Sequence, residues 1–132
     1  MDRSPPLPTD GELRLLRVLW ERGPSTVREV HQALPAGESG YTTVLKLLQI
    51  MHGKGLVIRD ESSRTHVYAA AVLPEATQRA LVTDLIDRAF GGSAQSLVMQ
   101  ALSPQVSSRQ DLDRIRALLE ELERREAEGE AE

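Results

Sequence analysis

The sequence has no cysteine and very few aromatic rings: in 132 residues, only Trp20, Tyr41, Tyr68 and Phe90 represent Trp, Tyr and Phe. The first absence excludes disulfide frameworks, cysteine-based zinc sites and thiol catalysis. The second predicts a core of Leu, Val, Ile and Ala, which favours helices, and argues against the aromatic platforms on which single-strand binders stack bases. No apolar run approaches the roughly 20 residues a membrane-spanning helix requires. Met1 to Thr9 carries one acid, one arginine and three prolines without an apolar stretch; no signal peptide is expected, and a cytoplasmic protein is. Enzyme signatures are missing as well. His31, His52 and His66 fall on different elements with no paired spacing, and neither HExxH nor a phosphate-binding Gly-x-x-x-x-Gly-Lys-Ser/Thr occurs. No catalytic residue, metal, cofactor or small-molecule substrate is expected.

What is present is an uneven charge distribution. The formal net charge is −4, which by itself speaks against a nucleic-acid partner. Residues 1–72 carry +1, with nine Lys/Arg against eight Asp/Glu; residues 73–132 carry −5, with seven against twelve. From Ser39 to Arg59 there is no acid, while Lys46, Lys54 and Arg59 fall there. Binding responds to local potential and not to the total, although chance clustering on a neutral surface would give the same count.

The hydrophobic periods order the chain. Thr9 with Glu12 is a capping-box pattern that opens a helix, Leu13, Leu16 and Trp20 share its face, and Gly23-Pro24 ends it. Thr26 with Glu29 repeats the pattern for a second helix with Val27, Val30 and Leu34 inward, ending at Pro35. After a loop to Gly40, a third helix is predicted from Tyr41 or Thr42 to about Gly53, with Gly55 as its stop. The period then changes: Leu56–Arg59 and Thr65–Ala69 are β-prone around a polar turn, a hairpin. Three further helices follow: Glu75–Phe90, Ser93 to about Leu102, and one capped by Ser107 or Ser108, with a charged tail from Glu123 expected to fray. The expected fold is mainly α with a small β-hairpin wing: a winged helix-turn-helix in residues 1–72 followed by a helical region in 73–132. The last three helices are amphipathic and too small to bury their own apolar stripes. Val82, Leu85, Ile86, Leu97, Val98, Ile115, Leu118, Leu119 and Leu122 are therefore expected to face a second copy in a homodimer.

The third helix is the most informative segment. Val44, Leu47, Leu48 and Met51 form its apolar stripe, and Thr42, Lys46, Gln49 and Gly53 its opposite face. That face offers a hydroxyl, an ammonium and an amide but no carboxylate. Gln reads adenine bidentately, Lys reaches guanine or phosphate, and Thr takes phosphate or a thymine methyl. A solvated face made of good helix formers would look similar. Tyr41, Thr42, Thr43, Lys46 and Gln49 on the helix and Arg64 on the wing are the expected contacts to double-stranded DNA. A winged-helix protein-interaction module without a DNA target is the alternative, and an exposed apolar patch on the third helix would favour it.

The run Gly40-Tyr41-Thr42-Thr43-Val44-Leu45-Lys46-Leu47-Leu48-Gln49-Ile50-Met51, followed by Lys54-Gly55-Leu56-Val57, resembles the penicillinase-repressor family (BlaI/MecI type, with the copper-responsive CopY repressors). Asp10-Gly11-Glu12-Leu13 with Val18-Leu19-Trp20 is similar to the family's first helix, and Arg64 with Val67-Tyr68 to its second wing strand. The resemblance implies a dimeric winged-helix repressor that binds a palindromic operator through the third helix. It also implies a membrane-bound metallopeptidase receptor as partner, with cleavage in the C-terminal region. Two departures stand out. The copper-sensing branch carries Cys-x-Cys, which a chain without cysteine cannot supply. The β-lactamase branch is cut between Asn and Phe, and the matching bond here is Gln100–Ala101.

Overall fold

The computed structural model describes residues 6–131; the first five residues of the proline-rich N-terminal segment and Glu132 lie outside them. The elements run α1 (Asp10–Arg22), β1 (Ser25–Thr26), α2 (Val27–Ala33), α3 (Tyr41–Lys54), β2 (Val57–Asp60), β3 (Val67–Ala70), α4 (Pro74–Ala89), α5 (Ala94–Ala101) and α6 (Arg109–Ala131). The chain divides into two compact units, residues 1–84 and 85–132. The division falls inside α4, later than the expected boundary after Val72.

In the first unit, local chemistry sets the helix ends. The Thr9 N–H donates to Glu12 Oε1 at 2.8 Å and the Glu12 N–H to Thr9 Oγ1 at 3.2 Å. Thr26 and Glu29 repeat this reciprocal pair at 2.9 and 3.2 Å. Each box satisfies backbone N–H groups that a helix start leaves without partners. Gly55 closes α3 at φ 84°, ψ 12°, a left-handed conformation a β-carbon disfavours. The Leu56 N–H then reaches back to the Met51 carbonyl at 2.9 Å.

The sheet is antiparallel in the order β1-β3-β2. The hairpin pairs Val57 with Ala70 and Asp60 with Val67. The expected two-stranded hairpin is thus completed by a third strand: Ser25 pairs with Tyr68 and Thr26 with Val67. A two-residue strand has no period to betray it, and its partner lies far along the chain. Leu15, Leu16 and Leu19 of α1, Val27 and Val30 of α2, Val44, Leu48 and Met51 of α3, and Leu56, Val57 and Tyr68 form one buried cluster. Leu34, expected inward, is only half-buried at the edge of that cluster. Trp20 Nε1–H donates to the Val72 carbonyl at 2.9 Å and fixes the end of the sheet to α1. Three helices feeding a sheet whose β2–β3 turn projects as a wing constitute a winged helix-turn-helix.

In the second unit, Gly91 and Gly92 take φ of 56° and 85° and turn the chain after α4. Ser93 Oγ accepts the Ser96 N–H at 3.1 Å and caps α5. Ser108 and Asp111 exchange hydrogen bonds at 3.1 and 3.2 Å at the start of α6. The tail expected to fray from Glu123 instead continues as helix to Ala131. Glu121 pairs with both Arg124 and Arg125, at i+3 and i+4, and Glu, Arg and Ala are strong helix formers. Among the described residues, no helix is long and apolar enough to cross a membrane.

Candidate nucleic-acid interface

The third helix is held by its apolar side. Val44, Leu48 and Met51 are wholly buried, which leaves the expected contact residues outward: Tyr41, Thr42, Thr43, Lys46 and Gln49 are all exposed. Arg64 is exposed in the turn between β2 and β3. The N-cap of α3 is Gly40, which brings no capping side chain. The first-turn N–H groups therefore remain open to an acceptor such as phosphate.

A groove of about 550 Å³ runs between α3, the start of α2 and the wing. Tyr41, Leu45 and Gln49, spaced four residues apart on one stripe of α3, form one wall. Thr26, Val27 and Arg28 at the start of α2 and Arg59, Arg64, Thr65, His66 and Tyr68 of the wing region form the rest. The structure thus brings Tyr41, Gln49 and Arg64 together. Thr42, Thr43 and Lys46 lie outside the groove, on the more outward stripes of the same helix. No carboxylate lines it. Arg28 and His66 are not among the expected contacts, although His66 is expected on the hairpin beside Arg64; membership of the groove depends on how α2 and the wing fold against α3, which no local pattern encodes.

Ion pairing divides the cations. Lys54 Nζ lies 2.7 Å from Glu12 Oε1, whose side chain is only 2% exposed. Burial opposes ionisation of Glu12, but the hydrogen bond from Lys54, the backbone N–H of Thr9 and the Lys54 charge outweigh it. The carboxyl is held below its ordinary range. Lys54 thus joins α3 to α1. Arg59 lies 2.7 Å from Glu61; the neighbouring Tyr68 and Glu61 hold its pKa above the ordinary arginine value against desolvation, while its buried Nε has no hydrogen-bond partner among the described residues. Asp60 accepts from Ser62, whose hydrogen bonds lower its pKa and shape the turn. Among the described residues, Arg28, Lys46 and Arg64 form no ion pair. Of the cations on α3 and around the groove, these three are the ones left to offer positive charge outward, and of those counted in the acid-free stretch only Lys46 contributes.

The expected dimer residues sit on α4–α6. Val82, Leu85, Val98, Leu118, Leu119 and Leu122 are exposed, and Ile86, Leu97 and Ile115 half-buried. Gln100 and Ala101 are exposed in the last turn of α5. Among the described residues, no cluster of His, Cys, Asp or Glu could hold a metal ion.

The penicillinase repressor family model matches residues 8–121. A Mycobacterium tuberculosis protein described as "Transcriptional regulator BlaI" is 32% identical over 116 residues, spanning 86% of this chain and 83% of its own length. The solution structure of the DNA-binding domain of the repressor BlaI is similar at 22% identity and a TM-score of 0.48, over 58% of this chain and 93% of that one. A MarR family protein from Bacillus stearothermophilus gives 19% identity and a TM-score of 0.46, over 91% and 76%. The extent of the family match and the identity to the mycobacterial regulator together show that this chain is a member of the penicillinase repressor family, whose proteins are transcriptional regulators and not enzymes.

Proposed function

We propose that this protein is a cytoplasmic, homodimeric transcriptional repressor that binds a palindromic double-stranded DNA operator. In this reading residues 1–72 bind DNA and residues 73–132 form the dimer. One observation carries it: the exposed polar face of α3 adjoins a groove lined by Arg28, Arg59, Arg64 and His66 and by no carboxylate. A recognition helix in the major groove would present Thr42, Lys46 and Gln49 to base edges and phosphates. Dimer symmetry would then be mirrored in two half-sites about one helical turn, or a multiple of it, apart.

The alternative, a protein-interaction module, calls for a contiguous apolar patch on α3. Tyr41 and Ile50 are exposed there, but they lie on opposite flanks of the helix with Thr42, Lys46 and Gln49 between them. Scattered single apolar residues are ordinary on a surface, so DNA is the better-supported partner.

Relief of repression by a membrane-bound metallopeptidase receptor rests on the family resemblance. Gln100–Ala101 is exposed at the end of α5, and a protease cleft takes extended chain, so cutting there requires the last turn of α5 to open first. Footprinting on DNA flanking the protein's own gene tests the main reading. A symmetric pair of protected half-sites is expected; a single asymmetric site, or no protection on any duplex, refutes it.

A further inference from the structure

We infer that a pocket between α1 and the first half of α4 binds a small, uncharged aromatic molecule carrying one hydroxyl, with the Thr77 hydroxyl as its polar anchor. The site is separate from the nucleic-acid interface and independent of the DNA-binding reading.

The pocket has a volume of about 270 Å³ and lies wholly within the first unit. One wall is a face of α1, on which Leu13, Arg17, Trp20 and Glu21 recur at helical spacing. Pro74, Thr77, Gln78 and Leu81 make the other wall by the same spacing on α4. Leu13 and Trp20 share the expected inward face of α1 with Leu16, yet Leu16 is wholly buried and those two are only half-buried. The reason is position: Leu13 and Trp20 border the pocket and Leu16 does not.

Thr77 separates this pocket from an ordinary apolar crevice between helices. It is wholly buried, and its Oγ1 has no hydrogen-bond partner among the described residues. A buried hydroxyl without a partner costs stability, and a threonine inside a helix commonly avoids that cost by bonding the carbonyl one turn back. Here the Leu73 carbonyl accepts the Thr77 N–H at 3.2 Å and not the hydroxyl. One unpaired polar atom thus lies among mostly apolar groups, the pattern in which a ligand pocket fixes orientation with few polar contacts.

The rest of the lining sets the chemical class. Leu13, Leu81, Trp20 and Pro74 are apolar, and the two rings offer flat surfaces suited to an aromatic one. The indole N–H of Trp20 is already taken by the Val72 carbonyl, which fixes the ring and leaves the ligand's polar group to Thr77. Arg17 and Glu21 are exposed at the rim, one of each sign, so the site offers no net charge to an ion. The volume lies below that of pockets for drug-sized ligands and suits a single substituted ring.

Trp20 is the only tryptophan of the chain, so its fluorescence reports occupancy directly. The full chain is titrated with 4-methylphenol, with excitation where only indole absorbs. A saturable change is expected, half-complete below about 1 mM and independent of protein concentration. Toluene has the same shape without the hydroxyl and should bind at least about fivefold more weakly. Thr77→Val keeps the shape and should abolish that preference, with a thermal midpoint equal to or above that of the parent because an unpaired buried hydroxyl is gone. Leu81→Phe fills the pocket and should remove the response to both probes. No saturable response in the parent overturns the site. A Thr77→Val protein that keeps the preference, or melts below the parent, shows that the hydroxyl is engaged by the protein and overturns its role as anchor. Benzoate binding more tightly than 4-methylphenol overturns the uncharged class. A Trp20 signal that follows protein concentration and not the probe means that a second copy covers this face, and the small-molecule site falls.

Discussion

Among the described residues, every buried apolar side chain lies between Leu15 and Tyr68, whereas from Leu85 to Gly129 none is buried at all. The two regions are built from similar amphipathic helices, so propensity does not distinguish them. The difference is one of closure. In the first unit, three helices and a sheet supply apolar faces to one another, and Leu16, Val30, Val44, Leu48, Met51 and Leu56 lose all contact with water. In the second, the stripes of α5 and α6 keep Val98, Leu118, Leu119 and Leu122 about half exposed. A region that cannot close its own core is stable only when something else covers it, and a second copy offers the same stripe in return.

The sharpest way to break this comparison is to delete a core side chain. Leu48→Ala removes a wholly buried residue of α3 and should cost about 2–5 kcal/mol in chemical denaturation. The loss should be independent of protein concentration, because the first unit is closed by itself. The second unit should answer differently. Leu119→Asp places an unpaired charge in the proposed seam, a cost of several kcal/mol to association. Sedimentation should find a monomer where the parent is a dimer, and the thermal midpoint should lose its concentration dependence. A dimeric Leu119→Asp protein would put the interface elsewhere.

How legible this was in the sequence differs between the same two regions. Both capping boxes, the Gly55 stop and the inward stripe of α3 were readable, since each is fixed by residues within a few positions of one another. The strand β1, the Glu12–Lys54 pair and the groove positions of Arg28 and His66 were not, because each depends on residues brought together from distant parts of the chain. Lys54 shows the cost: counted as a cation free to bind, it is spoken for by a glutamate 42 residues away. In the second unit the apolar stripes were legible, but the continuation of α6 past Glu123 was not. Its charged residues suggested fraying, while their i+3 and i+4 pairing supports helix.

The Glu12–Lys54 pair gives the next prediction in size. Glu12→Gln should cost about 1–3 kcal/mol, limited because Lys54 is partly exposed and can recover water. The same pair sets a pH dependence. The folded-state pKa of Glu12 lies below its ordinary 4.5, so its stabilising contribution is complete above that value and is lost as pH falls through the lower, folded one. Acid titration of stability should therefore be shallower in Glu12→Gln than in the parent. An identical profile would mean that other carboxylates control the acid limb.

Within the interface, Gln49 and Lys46 should separate by kind of contact. Gln49→Ala, on the stripe shared by helix face and groove, should lose about 1–3 kcal/mol on the operator and little on random DNA, as expected of a residue that reads a base edge. Equal losses on both duplexes would make it a backbone contact.

Lys46→Ala should have the smallest effect of all. Lys46 is exposed on the outermost stripe of α3, outside the groove, and makes no ion pair among the described residues. Its ammonium is a flexible point charge without the fork geometry that specifies a base, so phosphate is the expected partner. Removing it should weaken operator and random DNA alike and lower the salt slope by about one unit. A loss confined to the operator would mean that Lys46 reaches guanine, and that α3 is inclined more steeply into the groove than its exposed stripe suggests. No change on either duplex would mean that this stripe does not face DNA, and the assignment of α3 as the recognition helix would fall with it.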